Sequence, residues 1–337
     1  MRYRHFLALV SILLLAPAAV LAGCGSGGPV TEAGREISAP PEQRLIALTD
    51  LDQRVARVGY RLSAANAELC PAVRNSAGWL VHAASQYSPE LRPHAVARFG
   101  LDRDLPGLLA VPDGSPAARA GLRQGDLILS VDGEALARGP DRRAAAYEGL
   151  EANIQTLDVA LARGTVQLVI RRSGEERAVS VTPQRTCGYD VQLDPSDELN
   201  ARADGKRLFI TTAMAGFAAT DDELALVLGH ELAHHVLGHH GWHEAEARGR
   251  QTQTLPALGG STGGSERQAD RVGLYLAARA GFDTAIAPAF WRRFGAFNWR
   301  VRYPQWNHPS AEARARALEG VQAEISALQA AGQPLVP

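Results

Sequence analysis

The sequence has 337 residues, enough for two average domains, and 46% of them are hydrophobic, enough to bury a sizeable core. Its 35 basic and 36 acidic residues leave a net charge of −1, which offers no field to draw nucleic acid or an acidic membrane face. Only one uncharged, mostly apolar run, Phe6 to Ala22, approaches membrane-spanning length, so a protein of several spanning helices is excluded.

The N-terminus reads as a secretory signal. Arg2 and Arg4 precede an apolar stretch from Phe6 to Leu15, and small residues follow. The run ends in Leu21-Ala22-Gly23-Cys24, which resembles the bacterial lipobox and implies lipidation of Cys24 after removal of residues 1–23. Gly25 rather than Asp follows the cysteine, which by resemblance to enterobacterial sorting rules points to the outer membrane. Residues 24–42, rich in Gly, Ser, Pro and Glu, read as a flexible tether.

Next, Leu45, Leu48, Leu51, Val55, Val58 and Leu62 recur at three- and four-residue spacing and predict one helix face. From Phe99 to Pro183 the pattern changes to short strands and turns. Ser115 caps a short helix with Pro116 at its first position, and Gly121 stops it. Leu127 to Val131 predicts a strand entering an Asp132-Gly133 hairpin turn, and a second hairpin turns at Ser173-Gly174. The string from Ser115 to Gly133, SPAARAGLRQGDLILSVDG, resembles a bacterial PDZ domain. That resemblance implies binding of extended peptides by strand addition, or a regulatory lid.

The chemistry lies further on. Thr220-Asp221-Asp222-Glu223 is a capping box opening a helix that carries Gly229-His230-Glu231-Leu232-Ala233-His234. His230 and His234 are one turn apart, so two imidazoles reach one zinc, and Glu231 beside them can take a proton from water. A catalytic zinc needs a third protein ligand. His240 stands where metzincins place theirs, but Leu237 occupies the position that pattern reserves for glycine. Gly is displaced to 238, and no downstream methionine exists to form the turn. The other candidate is Glu266. Ser265-Glu266-Arg267-Gln268 reads as a second capping box, and Glu266, Asp270, Gly273 and Ala277 share one helix face. Small residues let that helix approach the first closely, with Glu266 on the metal and Asp270 hydrogen-bonding a ligand histidine.

Four segments together resemble the zinc endopeptidases of the HtpX, BepA and Ste type. They are Asn200 to Gly205, Asp221 to His234, Glu266 to Gly273, and Asn307 to Arg314. The resemblance implies His230, His234 and Glu266 as ligands of one zinc per chain and Glu231 as the base. It implies His308 near the metal, as oxyanion donor or as a fourth ligand that makes the enzyme latent. It also implies Arg314 supporting the site, with His308 or Arg314 expected to stabilise the oxyanion, and Ala203 to Lys206 bordering the strand that pairs with substrate. The Gly-rich run from Gly259 to Gly264 suggests a mobile cover. Membrane members of the family carry spanning helices near the site, whereas residues 242–265 here are polar and Gly-rich.

The family also places the Leu45–Leu62 helix directly before a strand at Tyr189 to Leu193. The PDZ-like segment is therefore an insertion, and Cys70 and Cys187, which flank it, are expected to form a disulfide in an oxidising compartment. The expected fold is α+β: a mainly helical zincin-type peptidase domain with a small edge sheet, plus an inserted β-rich PDZ domain. Its expected parts are the signal (1–23), tether (24–42), N-terminal helical part (43–95), PDZ domain (96–185) and metallopeptidase domain (186–337). The expected function is a lipid-anchored envelope endopeptidase acting on unfolded or misassembled envelope proteins and extended peptides. It has no nucleic-acid partner and touches the membrane only through its lipid. The rival is a non-hydrolysing, zinc-containing chaperone or adaptor working through its PDZ domain.

Overall fold

The computed structural model describes residues 39–239, 262–297 and 310–337. The signal, Cys24, His240 and His308 lie outside them, as does the Gly-rich run apart from its last three residues.

Helix α1 (Pro41–Ala65) begins with proline in its first turn, where the missing N–H costs nothing, and so starts just inside the expected tether. At 25 residues it is long enough to serve two cores. Leu45 is buried in a strand-rich core, while Val55, Val58 and Leu62 are buried in a helical one. The apolar spacing in the sequence is thus a single face split between two partners.

The strand-rich unit follows. Its elements are β1 (Val73–Ser76), β2 (Leu80–His82), α2 (Arg92–Phe99), β3 (Gly107–Ala110), α3 (Pro116–Arg119), β4 (Leu127–Val131), β5 (Glu134–Ala135), α4 (Glu148–Arg163), β6 (Val166–Arg172), β7 (Glu175–Val181) and β8 (Gln184–Cys187). The main sheet runs β2-β3-β4-β6-β7, with β5 hairpinned onto β4. Both hairpins turn at the expected residues: Asp132 and Gly133 have φ of 50° and 84°, Ser173 and Gly174 of 52° and 86°. Two successive positive φ values match the right-handed twist of the flanking strands. Ser115 caps α3 through a bond from the Ala118 N–H.

This unit starts before residue 96. Ala77, Ala84, Tyr87 and Ala95 are buried in its core, and β2 forms the first strand of its sheet. A three-residue strand is too short to show any periodicity, which is why the segment read as part of the preceding helical region.

β1 and β8 pair antiparallel with Val73 opposite Cys187, forming a two-stranded neck. A Cys70–Cys187 disulfide closes that neck, with Cα atoms 5.4 Å apart. Only Gly188 and Tyr189 then separate β8 from β9 (Asp190–Asp194). β9 lies parallel to β11 (Arg207–Thr211), and β10 (Ala201–Ala203) lies antiparallel on the other side of β11 as an edge strand.

The helical core then assembles from α5 (Thr212–Phe217), α6 (Asp221–Val236), α7 (Thr262–Arg279), α8 (Ala287–Phe297) and α9 (Ala311–Ala330). α1 packs against β9 so closely that a Cβ at Gly59 would lie 2.9 Å from Val191 Cγ2. The strand-rich unit therefore interrupts a helix and a strand that pack in the same core. Among the described residues, no helix is long and apolar enough to cross a membrane.

Candidate metal centre

α6 starts as its sequence prescribes. Thr220 Oγ1 accepts the Glu223 N–H at 3.2 Å, while the Glu223 carboxylate reaches back to the Ala219 N–H at 2.6 Å. Nearly every residue from Glu223 to His235 is buried, so this helix is a core element wrapped on all sides.

α7 crosses α6 at a pair of glycines. A Cβ at Gly229 would lie 2.8 Å from the Gly273 carbonyl oxygen, and one at Gly273 would lie 2.8 Å from the backbone N and Cα of His230. No side chain fits between the two backbones at this point. The close approach brings Glu266 and Asp270, on the same face of α7, onto the histidines. α7 itself begins at Thr262, so Ser265 sits inside its first turn and does not cap it.

The donor atoms converge. His230 Nε2 lies 3.2 Å from His234 Nε2 and 3.4 Å from Glu266 Oε2, and Glu266 Oε1 lies 3.6 Å from His234 Nε2. One ligand atom from each of the three residues falls within 4.8 Å of the others. Two imidazoles and a carboxylate at such separations fit a zinc ion with one position left open for chemistry.

Behind the ligands, His230 Nδ1 lies 3.0 Å from Asp270 Oδ1. Asp270 is in turn gripped by Arg314 from α9, with Nε donating to Oδ2 at 2.8 Å and Nη2 to Oδ1. The Arg314 guanidinium stacks on Trp291 of α8, 3.4 Å from the ring centroid. Burial opposes the Asp270 charge, but Arg314 and His230 hold the carboxyl below the usual aspartate range. Arg314 is 6% exposed, and its fork meets Asp270 and, 3.3 Å from Nη2, His230 Nδ1, so its place is behind the ligand and not at the oxyanion, holding the residue that orients His230. An Asp–Arg pair of this kind fixes the tautomer of a ligand histidine.

Glu231 is buried, 9% exposed, next to the ligands. Burial pushes its carboxyl up to about 7, with Glu266 adding to the effect and His230 and Arg314 opposing it. A base poised near neutrality suits proton transfer, and a bound cation would draw it down again.

Two contacts have no counterpart in the sequence reading. His234 Nδ1 lies 3.0 Å from His239 Nδ1. His235, 2% exposed, stacks on Tyr189 with ring centroids 3.9 Å apart, tying the helix to the residue that leaves the neck. One-dimensional spacing cannot show which of the histidines after His234 fold back.

β10 packs beside α6 as the edge strand, with Ala203 at its end and Asp204 forming the turn into β11. The strand bordered by Ala203 to Lys206 thus runs beside the helix of His230 and His234, with one side unpaired among the described residues. An edge of this kind can take up an extended chain.

Residues 165–255 match the profile of the family described as Peptidase family M48, and residues 109–147 match that of a PDZ domain. The first match contains His230, Glu231 and His234 and ends before Glu266. The mitochondrial metalloendopeptidase OMA1 of Danio rerio is 27% identical over 200 residues, covering 49% of this chain and 41% of that protein. The present chain thus aligns with less than half the length of that relative. The crystal structure of the HtrA3 PDZ domain bound to a phage-derived ligand is similar at 22% identity and a TM-score of 0.24. That similarity covers 34% of this chain and 92% of the other. The HtrA-type protease AlgW with a decapeptide is similar at 24% identity and a TM-score of 0.23, covering 34% and 30%.

Proposed function

Since the chain carries a peptidase family M48 segment and a PDZ domain, we propose that it is a zinc-dependent endopeptidase of the bacterial envelope. The observation that carries this reading is the convergence of His230, His234 and Glu266 with Glu231 alongside and Asp270 and Arg314 behind. His230, His234 and Glu266 would hold the zinc. When bound it supplies Lewis acidity to the scissile carbonyl and acidifies water.

The protein's own groups do the rest. Glu231 accepts the proton of the attacking water and passes it to the departing amine. Asp270 accepts a hydrogen bond from His230 Nδ1–H, so that Nε2 presents its lone pair to the metal, and Arg314 keeps Asp270 ionised in a buried place. The substrate lies extended along β10, which requires an unfolded segment. The PDZ domain takes up an extended peptide or gates access to the cleft.

The compartment follows from sequence chemistry. The signal and Cys24 are those of a lipoprotein, with the outer membrane as destination, and a disulfide at the neck suits an oxidising compartment. Unfolded or misassembled envelope proteins are the substrates that suit both an edge strand and a PDZ domain.

The test is zinc analysis and casein digestion by the purified protein. One zinc per chain is expected, lost in Glu266→Ala. Glu231→Gln keeps its zinc and loses activity by about 10²–10⁴-fold. Full zinc occupancy in Glu266→Ala, or undiminished digestion by Glu231→Gln, rejects the assignment.

A further inference from the structure

We infer that His239 is a positioning residue for the ligand His234, held over it by the C-terminal cap of α6. The inference rests on the metal-centre reading above. α6 ends in a Schellman motif. Gly238 adopts φ 69°, its N–H donates to the His235 carbonyl at 3.2 Å, and the His239 N–H donates to the His234 carbonyl at 2.9 Å. This turn folds the residue after the left-handed one back over the last helical turn, onto the side chain whose carbonyl it caps. In most proteins an apolar contact forms there.

Here two imidazoles meet instead, Nδ1 to Nδ1 at 3.0 Å. The Nε2 of His234 is turned the other way, toward His230 and Glu266. A neutral histidine that coordinates through Nε2 carries its proton on Nδ1, so His234 donates and His239 accepts. His239 must then carry its own proton on Nε2. This relay, His239 to His234, orients the second ligand as the ionic pair Arg314–Asp270 orients the first.

The glycine at 238 is what makes the relay possible. It is the only residue type that enters the left-handed region without a steric cost, and without that turn His239 would continue away from the helix.

Zinc affinity, measured by competition with a chromogenic chelator on the purified protein, tests the inference. His239→Ala is expected to weaken zinc binding by about 10–100-fold, the usual cost of losing a partner of a ligand histidine. His239→Asn places an amide oxygen near the former Nδ1 position and is expected to recover most of the affinity. Unchanged zinc affinity in His239→Ala overturns the inference. Equal losses in the Ala and Asn variants also overturn it, since they would mean packing alone. A wild-type protein that binds no zinc overturns the metal-centre reading, and this inference with it.

Discussion

Each of the two cores buries a histidine, and the two are treated in opposite ways. His82, 1% exposed in the strand-rich core, has the Tyr87 hydroxyl 2.7 Å from Nδ1 and the Phe99 ring edge-on, while its Nε2 has no partner among the described residues. Burial alone holds this imidazole down to about 3, so it stays neutral. His230, 8% exposed in the helical core, meets a carboxylate at each ring nitrogen. Burial again disfavours the charged form, but the hydrogen bonds to Asp270 and Glu266 outweigh it and push the group up to about 10. Burial makes a histidine structural. Carboxylates brought onto both nitrogens prepare it to hold a cation, since a metal can replace the proton at Nε2.

Removing the cation behind Asp270 is the hardest blow to that arrangement. Arg314→Met leaves a buried carboxylate without its partner, at a cost of about 3–5 kcal/mol. Denaturant unfolding should show this loss, and adding Asp270→Leu should restore much of it. A loss below about 1 kcal/mol would mean that Asp270 is solvated and cannot orient His230.

The strand-rich histidine can be tested through pH. Its folded value of about 3 lies below the unfolded value of 6.5, so the folded chain binds fewer protons between the two. The stability this confers is complete above pH 6.5 and is lost as pH falls toward 3, a change on the order of 4 kcal/mol. His82→Phe should therefore flatten the fall in stability between pH 6.5 and 4. The unpaired Tyr87 hydroxyl of the variant adds an offset that does not change with pH. A slope equal to wild type would show that His82 is protonated without cost.

Glycines sharpen the contrast at smaller scale. Gly273→Ala pushes a methyl against the His230 backbone, and overpacking of this kind costs about 1–3 kcal/mol. Zinc affinity should fall with it, because α6 and α7 must separate. Gly174→Asn, at a hairpin turn with open space around it, carries only the cost of a side chain at φ 86°, about 1 kcal/mol, and should leave zinc affinity unchanged. Equal losses of zinc affinity at the two sites would mean that α6 and α7 slide apart without strain.

Much was legible in one dimension. The His230–Glu231–His234 spacing is a property of one helix turn, and the Thr220 cap, the Ser115 cap and both hairpin turns are set by residues within four positions of each other. Local chemistry of that kind survives translation into structure because the backbone geometry it needs is local. The Cys70–Cys187 pairing came from resemblance together with compartment, not from spacing.

Only the folded chain decided the remainder. It set the early boundary of the strand-rich unit at β2, where burial overrode weak local signals, and it began α7 at Thr262, ahead of the expected cap at Ser265. It drew Arg314 behind Asp270 from 44 residues away, and it split one face of α1 between two cores. It also turned His239 back onto His234, through a cap whose glycine the sequence displays but whose direction it does not. Spacing along a helix tells which side chains share a face. Which partner covers that face depends on contacts between distant segments, and those exist only once the helices have packed.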